Sequence, residues 1–381
     1  MASGPGGNGG VGGGGGGSSS SDGGKGGDFG GGGGSGGSGT AQGGGGGFGG
    51  GGGGAATDAS QTGGIGGFGA GGGGALTGGT GGVYGGAGGS GNGAGGGGGA
   101  ALGGAVFVRD GGTLILDDTR FNGTYSVAGG SGGGGDAGNG GAHGSVMFLE
   151  AGVSTVFHVS KGTEAVTGTD AISGDGGFTK TGAGTLILGG TDTYTGTTKV
   201  RGGVLQVNGS MVSDVVVKSG GTLGGHGTTG NVTVRAGGVL SPGGQAVGTL
   251  HTDKVILRGR AQLDIQLGAH HSDRLDLSGD IHLGGATLDL SLLAGFHPAT
   301  GRTFEIIDNL GNDPIHGRFA GLPQGEKFSS GGEEFSINYH GGDGDDVVLT
   351  ALGPVPPPTP TGPEADNAKL WPHAMHDDLF L

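Results

Sequence analysis

Val217-Lys218-Ser219-Gly220-Gly221-Thr222-Leu223 is echoed 17 positions further on by Val234-Arg235-Ala236-Gly237-Gly238-Val239-Leu240. Each stretch reads aliphatic, polar, glycine-containing turn, then aliphatic again six positions after the first. Leu257 to Leu263, Leu277 to Leu283 and Val108 to Leu114 repeat the pattern, and Val200-Arg201-Gly202-Gly203-Val204-Leu205 is one residue shorter. From Val200 onward the first aliphatic positions are 200, 217, 234, 257 and 277, at spacings of 17, 17, 23 and 20. A strand–turn–strand unit of roughly 20 residues cannot bury its own apolar face, whereas stacked copies set like residues over one another. Neighbouring coils then pair as parallel strands about 4.8 Å apart around aliphatic ladders. Glycine pairs suit the corners, where positive φ is needed. The pattern predicts an all-β chain folded as a parallel β-helix, right-handed by the general rule for parallel crossovers.

Working outward, the chain has 381 residues, of which 116 are glycine, and 60 of these fall in residues 1–104. From Ala2 to Ala100 the large apolar residues are Val11, Phe29, Phe48, Ile65, Phe68, Leu76, Val83 and Tyr84. Eight such side chains cannot form an ordinary core against a backbone-ordering cost of roughly 1–2 kcal/mol per residue. Collagen is excluded, because glycine does not recur strictly every third residue and proline is scarce there. Phe29, Phe48 and Phe68 lie 19 and 20 apart, close to the β-helix period. The segment is therefore expected to be flexible low-complexity chain or degenerate coils, ordered from about residue 60 onward. Residues 105–300 carry the repeats. Thr303–Ile307, Glu334–Tyr339 and Asp346–Thr350 are longer, cleaner strands, with Phe319, Leu322 and Phe328 placed to pack between them. Residues 301–352 are expected to cap the helix end, since an exposed β-edge is a template for aggregation. Residues 353–381 hold seven of the twelve prolines and read as a stiff linker and tail.

Seventeen basic against 32 acidic residues give a net charge of −15, which disfavours nucleic acid and anionic membrane surfaces as partners. No apolar run reaches the length of a membrane-spanning helix. Met1-Ala2-Ser3-Gly4-Pro5 lacks the basic and apolar regions of a secretory signal. There is no cysteine, which removes disulfides, thiol catalysis and Cys-ligated zinc.

Gly182-Ala183-Gly184-Thr185-Leu186-Ile187-Leu188 leads into Thr193-Tyr194-Thr195-Gly196-Thr197-Thr198, then Val200 and Gly202 to Val207. This closely resembles the autotransporter-associated β-strand repeat of Gram-negative passenger domains. Ser241-Pro242-Gly243-Gly244 before Gly248-Thr249-Leu250, Gly317 to Pro323, Phe335 to Tyr339 and Gly341-Gly342 through Thr350 look like the same family. The resemblance covers roughly 105–352. It implies a right-handed β-helical stalk displayed on, or released from, the bacterial outer surface, often in adhesion or self-association. Such passengers also carry a signal peptide and a membrane β-barrel, and neither is read in this sequence.

Among motifs with chemistry, Gly341-Gly342-Asp343-Gly344-Asp345-Asp346-Val347-Val348-Leu349 matches the calcium nonapeptide in one copy. Asp343, Asp345 and Asp346 are the ligand candidates, although such sites normally form between adjacent copies, and an acidic turn explains the same residues. Arg201, Lys218, Arg235 and Arg258 follow the first aliphatic residue of successive repeats. Stacking would set them in a column able to hold an anionic glycan or a lipid headgroup; the alternative is basic edge protection. Asp264, Asp276 and Asp289 are the carboxylates a β-helix glycosidase or lyase would use, but spacings of 12 and 13 do not match one coil and predict a solvated face. His270-His271-Ser272-Asp273 are adjacent residues that cannot converge as a triad. His373, His376, Asp377 and Asp378 lie in the tail, and alternating Thr191, Thr193, Thr195 and Thr197 form one strand rather than an array.

The reading is a non-enzymatic surface or secreted passenger-like protein with no catalytic residues and no cofactor beyond calcium at the acidic turn. Its expected partners are host or bacterial cell-surface glycans or like molecules, with no nucleic acid, and with a membrane only through a translocator. The alternatives are a β-helix enzyme acting on polysaccharide and a secreted glycine-rich matrix protein.

Overall fold

The computed structural model describes residues 4–36, 40–56, 60–92, 94–121, 125–134, 136–311 and 314–356. The proline-rich tail beyond residue 356, including the His373–Asp378 group, lies outside the described residues.

From Val106 onward the chain winds around three long sheets, each built from strands one coil apart, with a short fourth sheet of Val106–Val108, Met147–Leu149 and Ile172–Ser173. The first face stacks Thr113–Asp117, Ser154–His158, Phe178–Thr181, Thr198–Val200, Val215–Val217, Val232–Val234, Val255–Leu257 and Ile281–His282. The second stacks Thr163–Val166, Thr185–Leu188, Gly203–Val207, Gly221–Gly225, Val239–Pro242, Gln262–Leu267 and Thr287–Leu292. The third runs from Thr191–Asp192 through Ser210–Met211, Thr228–Thr229, Thr249–Thr252 and Arg274–Leu277 to Thr303–Asn309. All these neighbours are parallel, so the protein is a three-faced parallel β-helix.

Register explains the repeat. Val200, Val217, Val234 and Leu257 are direct partners on the first face. Leu186, Leu205, Leu223, Leu240 and Leu263 are partners on the second, each essentially inaccessible. A fully buried aliphatic side chain contributes roughly 1.5–3 kcal/mol, so these columns carry the fold. The corner between them is a tight turn in which Gly221 N–H meets Lys218 O at 2.9 Å and Gly238 N–H meets Arg235 O at 2.8 Å. Gly220 (φ 81°) and Gly237 (φ 74°) take the left-handed position of that turn.

Two units of the repeat turn a different corner. Leu277 belongs to the third face, beside Thr252 and Asn309, and it is Val255 that pairs with Ile281. Val108 likewise pairs with Leu149, outside the first face. The same aliphatic–turn–aliphatic grammar serves each corner, so spacing alone merges them.

The glycine-rich region is built from backbone. Gly6, Gly9, Gly12, Gly15 and Ser18 donate to Asp22, Lys25, Asp28, Gly31 and Gly34 of the next coil. Gly23, Gly26, Phe29, Gly32 and Ser35 then donate to Gln42, Gly45, Phe48, Gly51 and Gly54. A bond at every third residue is the period of a polyproline II helix, whose amides are free to bond neighbours. A second set of bonds, such as Gly16 N–H to Gly7 O and Gly33 N–H to Gly24 O, ties the two arms of each coil together, and Gly24 N–H to Gly16 O links one coil to the next. Ordered coils therefore begin at Gly6 rather than near residue 60, and they need no apolar core. Glycine is required for close approach, because a Cβ on Gly15, Gly23 or Gly32 would run into the carbonyls of Gly24, Gly33 or Gly44.

At the other end Thr303–Asn309 pairs antiparallel with Asp346–Pro354, which pairs with Glu333–Gly341 and then Lys327–Ser330. Phe304, Phe319 and Phe335 are buried there, with Leu322 and Phe328 partly buried against them. Tyr339 Oη links the closing loop, donating to Leu322 O and accepting from Phe319 N–H.

Candidate functional site

The four basic residues of the repeat come together. Arg201, Lys218, Arg235 and Arg258 each follow a residue of the Val200–Leu257 column, so they sit one above another at the corner of four consecutive coils. Arg201, Arg235 and Arg258 are exposed and Lys218 is half-exposed. The charge of Arg201, followed by partial burial and the charges of Arg235 and Lys199, lowers the Lys218 ammonium from its ordinary value. Among the described residues none of the four is ion-paired to a carboxylate. Beyond Arg258 the column runs into a concavity of about 470 Å³ lined by Ile256, Gly259, His282 and Gly284. His282 stacks on His316 with ring centres 4.6 Å apart. Sequence reading found the column because basic residues recur at one repeat position; it missed His282 and His316, which stand 34 residues apart.

Asp343, Asp345 and Asp346 also converge, with carboxylate oxygens within 4.8 Å of one another on the turn closed by Gly344 N–H to Gly341 O. A hydrogen bond with Asp343 pushes the Asp345 carboxyl up to about 6. Asp346 is buried, and its Oδ1 already accepts the Asn309 N–H at 2.8 Å. The turn thus has a structural task, joining the last strand to Thr303–Asn309.

Of the candidate carboxylates of an enzyme, two come together and the third stands apart. Asp264 and Asp289 are register partners on adjacent coils of the second face, bridged by the Gln262 amide at 2.6 and 3.0 Å. Asp276 lies on the third face and is not solvated: it is 4% exposed and bound to Arg274, which also reaches Glu305 and Asp308. Asp273 is fully buried and accepts the Gly248 and Gln266 N–H groups, while Ser272 Oγ accepts from Gly268. Burial pushes the Asp273 carboxyl up to about 6. Of the alternating threonines, Thr193 and Thr195 donate their hydroxyls to Asp170 and Asp175.

Two buried groups escaped the sequence reading. Lys180 occupies an aliphatic position of the first-face column, beside Val200, and its Nζ donates to the carbonyls of Thr181, Gly182 and Gly202. Burial holds that ammonium down to about 8. Asp192 points into the core of the third face, and burial pushes it up to about 7.

The strand ladder defines a parallel β-helical solenoid, with the basic column along one of its corners. The passenger-associated-transport-repeat family matches residues 178–207, the segment whose glycine-rich motif carried the resemblance. The chain is similar to an extracellular serine protease of Serratia marcescens, 41% identical over 119 residues, or 30% of this chain and 11% of that protein. A second Serratia marcescens extracellular serine protease is 34% identical over 178 residues, 44% of this chain and 16% of its own length. The chain therefore spans a small fraction of these relatives. The Haemophilus influenzae Hap adhesin structure aligns with 66% of this chain and 30% of its own at 12% identity, with a TM-score of 0.28. The β-helix assignment rests on the strand ladder itself, and the autotransporter-passenger resemblance rests on the matched repeat.

Proposed function

We propose that this chain is a non-enzymatic β-helical stalk, displayed on or released from a bacterial cell, whose basic column holds an anionic polysaccharide. The observation that carries the reading is the alignment of Arg201, Lys218, Arg235 and Arg258 on four successive coils of a protein with net charge −15. Like charges stacked in that way repel, and an anionic polymer lying along the corner relieves the repulsion at every coil. Adhesion follows if the polymer belongs to another cell. The extracellular relatives agree with an outside location, while their protease activity stays with them: the matched segment is small, and the His270–Asp273 group of this chain does not converge.

The test is binding of a polyuronate, alginate oligomers, to the full chain at about 50 mM salt. The variant with all four residues changed to Gln should bind at least tenfold more weakly, and wild-type affinity should fall steeply as salt rises. Equal affinity of variant and wild type removes the column from the function.

A further inference from the structure

On another edge, where the glycine-rich coils meet the β-helix, two aromatic–carboxylate sites adjoin. In the first, the Arg109 guanidinium lies 4.3 Å from the Phe48 ring centre and 3.2 Å from Asp28. In the second, the rings of Phe68, Tyr84 and Phe148 enclose a cavity of about 290 Å³ together with Asp110, Glu150 and Asp175. The rings form one continuous series, with centres 5.2 Å apart for Phe48–Phe68, 5.8 Å for Phe68–Tyr84 and 5.4 Å for Tyr84–Phe148. The second site thus has the composition of the first, but among the described residues no Lys or Arg is ion-paired to its carboxylates.

The carboxylates are held in place. Glu150 Oε2 accepts the Asp110 N–H at 2.7 Å, and Asp175 Oδ1 accepts the Thr195 hydroxyl at 3.1 Å. Tyr84 is fixed by a turn in which it takes the left-handed position (φ 66°), with Gly85 N–H bonded to Gly82 O. Burial, then the charges of Asp175, Asp170 and Glu150, raise its phenol above the ordinary range, so the negative field is felt at the ring. An aromatic face attracts a cation, and a guanidinium stacks on rings while donating in its own plane to carboxylates.

We propose that this cavity takes the guanidinium of an arginine side chain presented by a partner polypeptide. The Arg109–Phe48–Asp28 contact is the same recognition made within the chain. The site is separate from the basic column and stands or falls independently of it.

The probe is the peptide acetyl-Gly-Arg-Gly-amide, titrated into the full chain by calorimetry beside its citrulline counterpart, which keeps the shape and loses the charge. The arginine peptide is expected to bind saturably and the citrulline peptide at least fivefold more weakly. Asp110→Asn combined with Asp175→Asn should cost a similar factor. Tyr84→Gly, which suits the left-handed turn and removes only the ring, should do the same with an unchanged circular dichroism spectrum. Equal binding of the two peptides, wild-type affinity in both variants, or no saturable binding up to about 10 mM peptide would each overturn the proposal.

Discussion

Asp192 shows what one residue can impose on a solenoid. Its side chain enters a core column whose next coils supply Met211, Thr229, Thr252 and Leu277. Oδ1 accepts the Ile172 N–H at 2.9 Å, and Oδ2 meets no donor among the described residues. Burial, and more weakly the charge of Asp170, lifts the carboxyl from 3.8 to about 7 against that hydrogen bond. A carboxyl raised on folding stabilises the fold fully below the unfolded value. That stability is lost as pH climbs toward the folded value, because the unfolded chain releases its proton first. Stability should therefore fall between about pH 4 and pH 7, by roughly 2–4 kcal/mol for a shift of this size. Asp192→Asn keeps the acceptor for Ile172 and removes the titration, so its urea midpoint should fall less over that window and exceed wild type at neutral pH. A variant whose midpoint follows the wild-type pH dependence would show that Asp192 is ionised in the fold.

At the scale of elements, the glycine coils and the β-coils obey different rules. In the glycine coils, Gly32 and Gly44 face backbone so closely that a Cβ would overlap a carbonyl, whereas a Cβ on Gly7 or Gly10 meets nothing within 4 Å. Gly44→Ala is expected to abolish amide protection in its own and the adjoining coils, at a cost of about 1–3 kcal/mol or more. Gly10→Ala should leave protection intact. Hydrogen exchange read peptide by peptide distinguishes them, and equal protection in the two variants would refute backbone packing of the arms. This contrast also marks where the sequence stops being readable. Aliphatic ladders leave a side-chain signature, so the Val200–Leu257 column and its basic neighbours were visible. Arms packed through amides leave none, and only Phe29, Phe48 and Phe68, at turn tips with rings 5.5 and 5.2 Å apart, betrayed the coils. Tyr84 and Phe148 complete the cavity from coils that carry no shared spacing, which is why the aromatic site needed the structure. Lys180 escaped for the opposite reason: a lysine in an aliphatic position reads as a strand's outward face until its carbonyl partners are seen.

Over the whole molecule these differences divide a continuous stack into parts of unequal stability. In a solenoid each coil contacts only its neighbours, so stability is nearly a sum of local terms, and parts can open separately. From Val146 to Ala351 most buried positions are aliphatic or aromatic, many of them essentially inaccessible. Among the described residues from Gly4 to Ala100 the buried apolar side chains are Ala41, Ala70 and Ala75, and the ordering is carried mainly by backbone amide bonds. Glycine loses the most conformational freedom on folding, and a net hydrogen bond returns only about 1 kcal/mol. The glycine coils should therefore open first. In hydrogen exchange under rising urea, amides of Gly6 to Gly89 are expected to lose protection well below the midpoint at which Val200, Leu223 and Leu240 lose theirs. The dependence on urea should also be shallower, because less surface apolar enough to reward burial is exposed. The aromatic cavity sits at this boundary, with Phe68 and Tyr84 on the weaker side and Phe148 on the stronger. Saturating arginine peptide should then raise protection selectively in the glycine coils next to Tyr84, since a ligand stabilises the state it binds. A single concerted transition for both regions, at one midpoint and one slope, would mean that the glycine coils and the β-coils fold as one cooperative unit.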